Sequence, residues 1–154
     1  MSISEVMLAY TAAACVLAIW KGERAERLAA ALIAADWLFI SAAQLLWAHD
    51  SRLSLRAVAA PVLIADLLMC FGFLWIMLRH GDLWVGAALL IQGAQLAVYG
   101  SYLARDGASA YTHTLLINVC SFLLLDVLLV GVALAWRRRV RERRDAGPML
   151  AVVA

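Results

Sequence analysis

The chain has 154 residues, of which 66% are hydrophobic and 16% charged, against ~45–50% and ~25% in a soluble globular domain. That composition excludes an ordinary soluble domain and points to an all-α, polytopic membrane helix bundle. The net charge is only +2, and the basic residues gather at the ends of apolar runs, where orientation signals belong, so nucleic-acid binding has no support.

The first apolar run extends from about Ile3 to Trp20, with Ser2 and Glu5 as its polar start. It lacks a basic leader and a small-residue cleavage site, so it is expected to remain as a helix. A charged turn, Lys21-Gly22-Glu23-Arg24-Ala25-Glu26-Arg27, leads into a second helix from about Leu28 to Trp47. The connection from His49 to Arg56 is the longest. A third helix covers about Ala57 to Leu78, with Pro61 in its first turns, where few intrahelical bonds are lost. Arg79-His80-Gly81-Asp82 forms a tight turn. A fourth helix runs from about Leu83 to Ala104, and Arg105-Asp106-Gly107 precedes a fifth from His113 to Trp136.

The fifth run exceeds the ~20 residues that cross a hydrocarbon core and ends in Arg137-Arg138-Arg139-Val140-Arg141-Glu142-Arg143-Arg144, which places its end in the cytoplasm. Five spans then put the N-terminus outside. Lys21, Arg24, Arg27 and Arg79 fall on the cytoplasmic side with the terminal cluster, whereas Arg52, Arg56 and Arg105 fall outside. Indoles favour the membrane interface. Trp20, Trp75, Trp84 and Trp136 are expected near the inner interface, and Trp47, Tyr102 and Tyr111 near the outer one. A four-span arrangement, with the first segment peripheral and the N-terminus inside, is the competing topology. Residues 1–136 form the expected bundle and residues 137–154 a basic cytoplasmic tail, expected to be mobile beyond Arg144.

Three carboxylates interrupt the apolar runs near mid-span: Asp36, Asp66 and Asp126. Gln92 and Gln95 lie at the same depth on helix 4. A charge facing lipid there costs at least ~2.5–3.5 kcal/mol on insertion scales, so these groups should face the bundle interior. No Lys or Arg lies at that depth to pair with them. The plainest reading is a set of interhelical hydrogen-bond clasps, each worth ~0.6–2 kcal/mol, drawing on Gln92, Gln95, Tyr10 or Thr11. The sharper reading is a shared site for a proton or cation.

Gln92, Gln95, Tyr99 and Tyr102 make one polar-aromatic stripe on helix 4. Gly86, Gly93 and Gly100 make another at heptad spacing, suited to close helix packing, which predicts a central place for helix 4. Cys15, Cys70 and Cys120 lie in apolar runs without a Cys-x-x-Cys and read as small buried hydrophobes. His49 and His113 could meet at the outer face, but a single pair with no supporting ligand spacing predicts neither haem nor metal. His80 reads as a solvated turn residue. No phosphate loop, nucleophile triad or zinc motif occurs, so no enzyme activity and no cofactor are expected.

The turn Lys21-Gly22-Glu23-Arg24-x-x-Arg27, the pair Leu83-Trp84 opening helix 4, Gln92 and Gln95 within it, and Tyr102-Leu103-Ala104-Arg105 at its end resemble a group of small, uncharacterised bacterial inner-membrane proteins. The resemblance covers most of the chain by hydropathy. It implies an inner-membrane location and no particular activity. The leading expectation is an accessory or scaffold subunit of a larger membrane assembly, with the lipid bilayer, other membrane subunits or a second copy as partners. The alternative is a small carrier or proton/cation-coupled pore using the midplane acids.

Overall fold

The computed structural model describes residues 3–49, 55–104 and 110–150. These form five helices and no strand: α1 (Ile3–Lys21), α2 (Arg24–His49), α3 (Leu55–His80), α4 (Leu83–Ala104) and α5 (Ala110–Leu150). Three of them contain stretches long and apolar enough to cross a membrane: Pro61–His80, Leu83–Ser101 and Thr114–Glu142. This differs from the expected five. That count covers the described residues alone, and crossing by α1 and α2 is not shown.

The helix boundaries are set by specific groups. α2 starts at Arg24 rather than Leu28 because the charged residues make its first turn. The Glu23 N–H donates to the Glu26 carboxylate at 2.9 Å and the Arg27 N–H to the Glu23 carbonyl at 3.0 Å, which satisfies donors that a helix start otherwise leaves open. At the end of α3, Gly81 adopts φ +70°, and its N–H donates to the Met77 carbonyl at 2.8 Å. This left-handed position closes the helix in a way that suits a residue without Cβ. α5 continues through the basic cluster to Leu150 without a break. The segment from Asp145, expected to be mobile, is helical as far as that residue.

Each helix packs on its neighbours in the chain, and α5 closes the ring on α1; α2 also touches α5 across the middle. The two short turns put α1–α2 and α3–α4 antiparallel, with both turns at one end, called the turn end below. α4 therefore sits on the rim between α3 and α5, and the expected central position belongs to α2 and α5.

Burial of apolar groups gives little net gain between helices in lipid, so close approach and polar contacts must hold such a ring. Ala14 and Ala18 of α1 and Ala25, Ala29 and Ala30 of α2 are buried at one interface, where small side chains let the backbones approach. The glycines that admit close neighbours are not the predicted ones. A Cβ at Gly131 would lie 2.7 Å from the Trp84 ring, and one at Gly72 would lie 2.6 Å from Leu32 Cδ1. Gly86 meets only the end of Met77, whereas Gly93 and Gly100 have nothing within reach. The predicted packing groove on α4 is thus an open face, continued by Leu90, which is 76% exposed.

Trp20, Trp75 and Trp136 are exposed, as interface indoles should be. Lys21 lies 4.4 Å from the Trp20 ring and the Arg79 guanidinium 5.4 Å from the Trp75 ring. Trp84 is the exception: it is buried against Gly131 of α5, because the glycine leaves a slot that fits an indole. Trp47, His49, Tyr102, Tyr111 and His113 lie outside the residues whose side chains are described.

Candidate binding cavity

A cavity of about 420 Å³ opens inside the bundle, toward the end remote from the turns, and all five helices line it. Glu5, Met7, Leu8 and Thr11 come from α1; Ile33, Asp36, Trp37, Ile40 and Ser41 from α2; and Met69 from α3. α4 adds Gln95 and Tyr99, and α5 adds Ile117, Asn118, Ser121, Leu124 and Leu125. The volume falls in the range of ~300–1,000 Å³ typical of small-molecule sites. Neither Lys, Arg nor His is among the lining residues.

Beside the cavity lies a fully buried pair. Gln92 Nε2 of α4 donates to Asp66 Oδ1 of α3 at 2.8 Å, and neither side chain is exposed to any degree. Asp36 of α2 is within electrostatic range of Asp66, and Tyr99 is within range of both. Helical spacing explains the convergence on α4: Gln92, Gln95 and Tyr99 stand at i, i+3 and i+7 and so share one face.

Asp126 departs from this group. It accepts a hydrogen bond from the Tyr10 hydroxyl across the α1–α5 contact, on the exposed side of the bundle. The Tyr10 ring also packs on Phe122, with centroids 5.9 Å apart. The expected five-membered polar layer is therefore divided. Asp36, Asp66, Gln92 and Gln95 are gathered inside, while Asp126 is a clasp at the periphery. Position along each apolar run is countable from sequence, but the direction in which each acid faces is not.

The site has a consistent chemical sense. Among the described residues, Asp36 Oδ1, Asp66 Oδ2, Gln92 Oε1 and Gln95 Oε1 are buried oxygens without a hydrogen-bond partner. Thr11 donates its hydroxyl proton to the Met7 carbonyl at 2.9 Å, and Ser121 donates to Ile117 at 3.0 Å. These two hydroxyls thus spend their donors within their own helices and can only accept from the cavity. The interior is rich in acceptors. Each buried acceptor left unmet costs ~1–3 kcal/mol, so the arrangement favours an occupant that donates hydrogen bonds or carries positive charge.

Sequence reasoning passed over Trp37, Ser41, Asn118 and Ser121 as lining residues. Asn118 and Ser121 stood as polar positions at i and i+3 within an apolar run, which was the available signal. Cys15 is buried, with Sγ 3.7 Å from the Ala30 carbonyl, and Cys70 and Cys120 are partly buried; all three are free thiols. His80 is half-buried, with Nδ1 3.2 Å from the Ile76 carbonyl. No set of three His, Cys, Asp or Glu side chains suited to a metal ion occurs among the described residues. Comparisons with models of known protein families, with curated proteins and with solved structures find no match.

Proposed function

We propose that the chain is a five-span inner-membrane carrier that loads a small cation, or a proton in its place, on Asp36 and Asp66. The observation that carries this reading is the set of four oxygen acceptors without a partner among the described residues: Asp36 and Gln95 line a cavity with no basic side chain among its described lining residues, and Asp66 and Gln92 are buried beside it. A proton arriving on either carboxyl turns one acceptor into a donor, and a cation satisfies several acceptors together. The two states are chemically interchangeable, which is what coupling of a solute to a proton requires. The cavity is much larger than one bare ion, since a water takes ~30 Å³. A hydrated cation or a small organic ammonium fills it better, with Trp37 and the aliphatic wall covering the apolar part. The reading needs neither enzyme chemistry nor a resident cofactor.

The proposed orientation places the turn end in the cytoplasm and the cavity mouth, with Glu5, outside. Lys21, Arg24, Arg27, Arg79 and the cluster from Arg137 onward all lie at the turn end, in accord with the positive-inside tendency. Reporter fusions after Arg79 and Arg144 are expected to give cytoplasmic signals, and a fusion after Arg56 an external one. An N-terminal tag in the cytoplasm contradicts this orientation.

The functional test uses the full chain in proteoliposomes, with sodium, potassium and tetramethylammonium as probes and an internal pH dye. At least one gradient should drive proton or cation flux. Asp36→Asn, which keeps the side-chain shape and removes the charge, should abolish it, and Asp126→Asn should leave it within about twofold. Flux unchanged in Asp36→Asn rejects the carrier reading.

A second reading, an accessory subunit, draws on a different observation. The α4 face with Gly93, Gly100 and exposed Leu90 has no neighbour among the described residues and can accept another helix at close range. Gentle detergent extraction and native sizing test it. A protein that remains monomeric under every mild condition argues against this second role.

A further inference from the structure

A second cleft, of about 480 Å³, lies at the turn end between the α1–α2 turn, the α3–α4 turn and the far part of α5. Four arginines line it: Arg24 and Arg27 at the start of α2, and Arg138 and Arg139 on α5, with His80 beside them. Two acids share the cleft, and each is already bound. Asp82 accepts from Arg138 at 3.0 Å, and the Glu23 carboxylate lies 3.5 Å from Arg139 Nε. Arg27 uses its Nε on the Gly22 carbonyl at 3.2 Å, and neither Arg24 nor Arg27 has a carboxylate within ion-pair distance among the described residues. Among the described residues, the four arginines lining the cleft outnumber its two lining acids even with the buried Glu26 close by, which leaves the cleft net positive with free guanidinium donors.

We infer that this cleft binds the phosphate of an anionic membrane lipid headgroup. Guanidinium groups match phosphate oxygens in charge and fork geometry. The level is also that of a headgroup. The apolar stretch of α3 ends at His80 and that of α4 begins at Leu83, and His80 and Asp82 line the cleft. Trp20 and Trp75, with Lys21 and Arg79 over their rings, stand at the same end, as expected where a bilayer meets water. Basic pockets between helices at this level are recognised sites for phospholipid headgroups. A free phosphate ion shares the chemistry but has no acyl chain to lie along the exposed Leu78 and Leu83 that flank the α3–α4 turn. The inference is independent of the carrier reading, since it uses none of the cavity residues.

The test is thermal unfolding of the purified full chain in detergent, titrated with phosphatidylglycerol, with phosphatidylcholine or with inorganic phosphate. Phosphatidylglycerol should raise the midpoint saturably, and the other two should not. With ~1 kcal/mol for each basic residue at a membrane surface, the half-saturating concentration should rise about fivefold in Arg24→Gln and about 25-fold in Arg24→Gln/Arg27→Gln. Arg141→Gln/Arg144→Gln removes the same two charges from α5 beyond the cleft and should change it less than twofold. If the double cleft variant folds poorly, Arg24→Gln decides alone, because the Arg24 side chain makes no hydrogen bond or ion pair among the described residues. Equal weakening in the cleft and control variants shows diffuse charge attraction and overturns the inference. So does equal protection by phosphatidylcholine or by inorganic phosphate.

Discussion

Asp66 is held in full burial by one hydrogen bond from Gln92. Its own deletion and that of its partner should therefore have unequal effects. Gln92→Leu strands a buried carboxyl and should destabilise the fold by about 1–3 kcal/mol, whereas Asp66→Leu removes the polar group itself. In the double variant the partners vanish together, and a double-mutant cycle should return a coupling of roughly 0.6–2 kcal/mol. Unfolding titrations in detergent measure all four proteins; purely additive effects would show that the contact contributes nothing. The glycines make an equally sharp contrast. Gly131→Ala drives a methyl group into the Trp84 ring and should cost about 1–3 kcal/mol. Gly93→Ala meets nothing and should be neutral or stabilising by up to ~1 kcal/mol through helix propensity. Thermal midpoints of the two variants decide the matter, and a larger loss at Gly93 would place a neighbour on the open α4 face.

At the scale of helices, α5 is fastened by ion pairs to both turns: Arg138 to Asp82 and Arg139 to Glu23. Both arginines are substantially exposed, so each pair is worth no more than ~0.2–1 kcal/mol. Asp82→Asn should lower the thermal midpoint only slightly, and 0.5 M salt should erase much of the difference between it and the wild type. A large, salt-insensitive loss would mean that Asp82 acts mainly at the start of α4. The helices themselves were legible from hydropathy and turn residues: Gly81 and Asp82 mark one turn, and Gly22 marks another. The start of α2 was not, because Arg24 to Arg27 read as a charged loop until Glu26 is seen bonding the Glu23 amide. Nor was the side of α4 that packs. Heptad spacing of Gly86, Gly93 and Gly100 identifies a face without saying whether protein or lipid covers it, and here only Gly86 has a neighbour. Trp84 shows the same limit, since a glycine on another helix decides whether an indole lies at the interface or inside.

The described helices form a ring closed by α5, with acceptors collected at its centre and a cluster of arginines at the turn end. Position along an apolar run is a one-dimensional property and can be counted from sequence, which is why Asp36, Asp66, Gln92 and Gln95 stand out there as polar interruptions. Azimuth depends on which helices become neighbours, so Asp126 could not be separated from them until the ring was known. The separation makes Asp126 the internal control for any claim about the other two acids. One consequence of the continuous α5 is mechanical. Ile117, Asn118 and Ser121 of this rod wall the cavity, while Arg138 and Arg139 near its other end hold both turns. At 1.5 Å per residue, the 14 helical residues after Trp136 extend α5 by ~21 Å, and a tilt of about 10° would swing its end by roughly 4 Å. Any tilt of α5 about these ion pairs would therefore move the cavity wall and the far end of the helix in opposite senses, so that the two ends of the molecule are joined by a single rod.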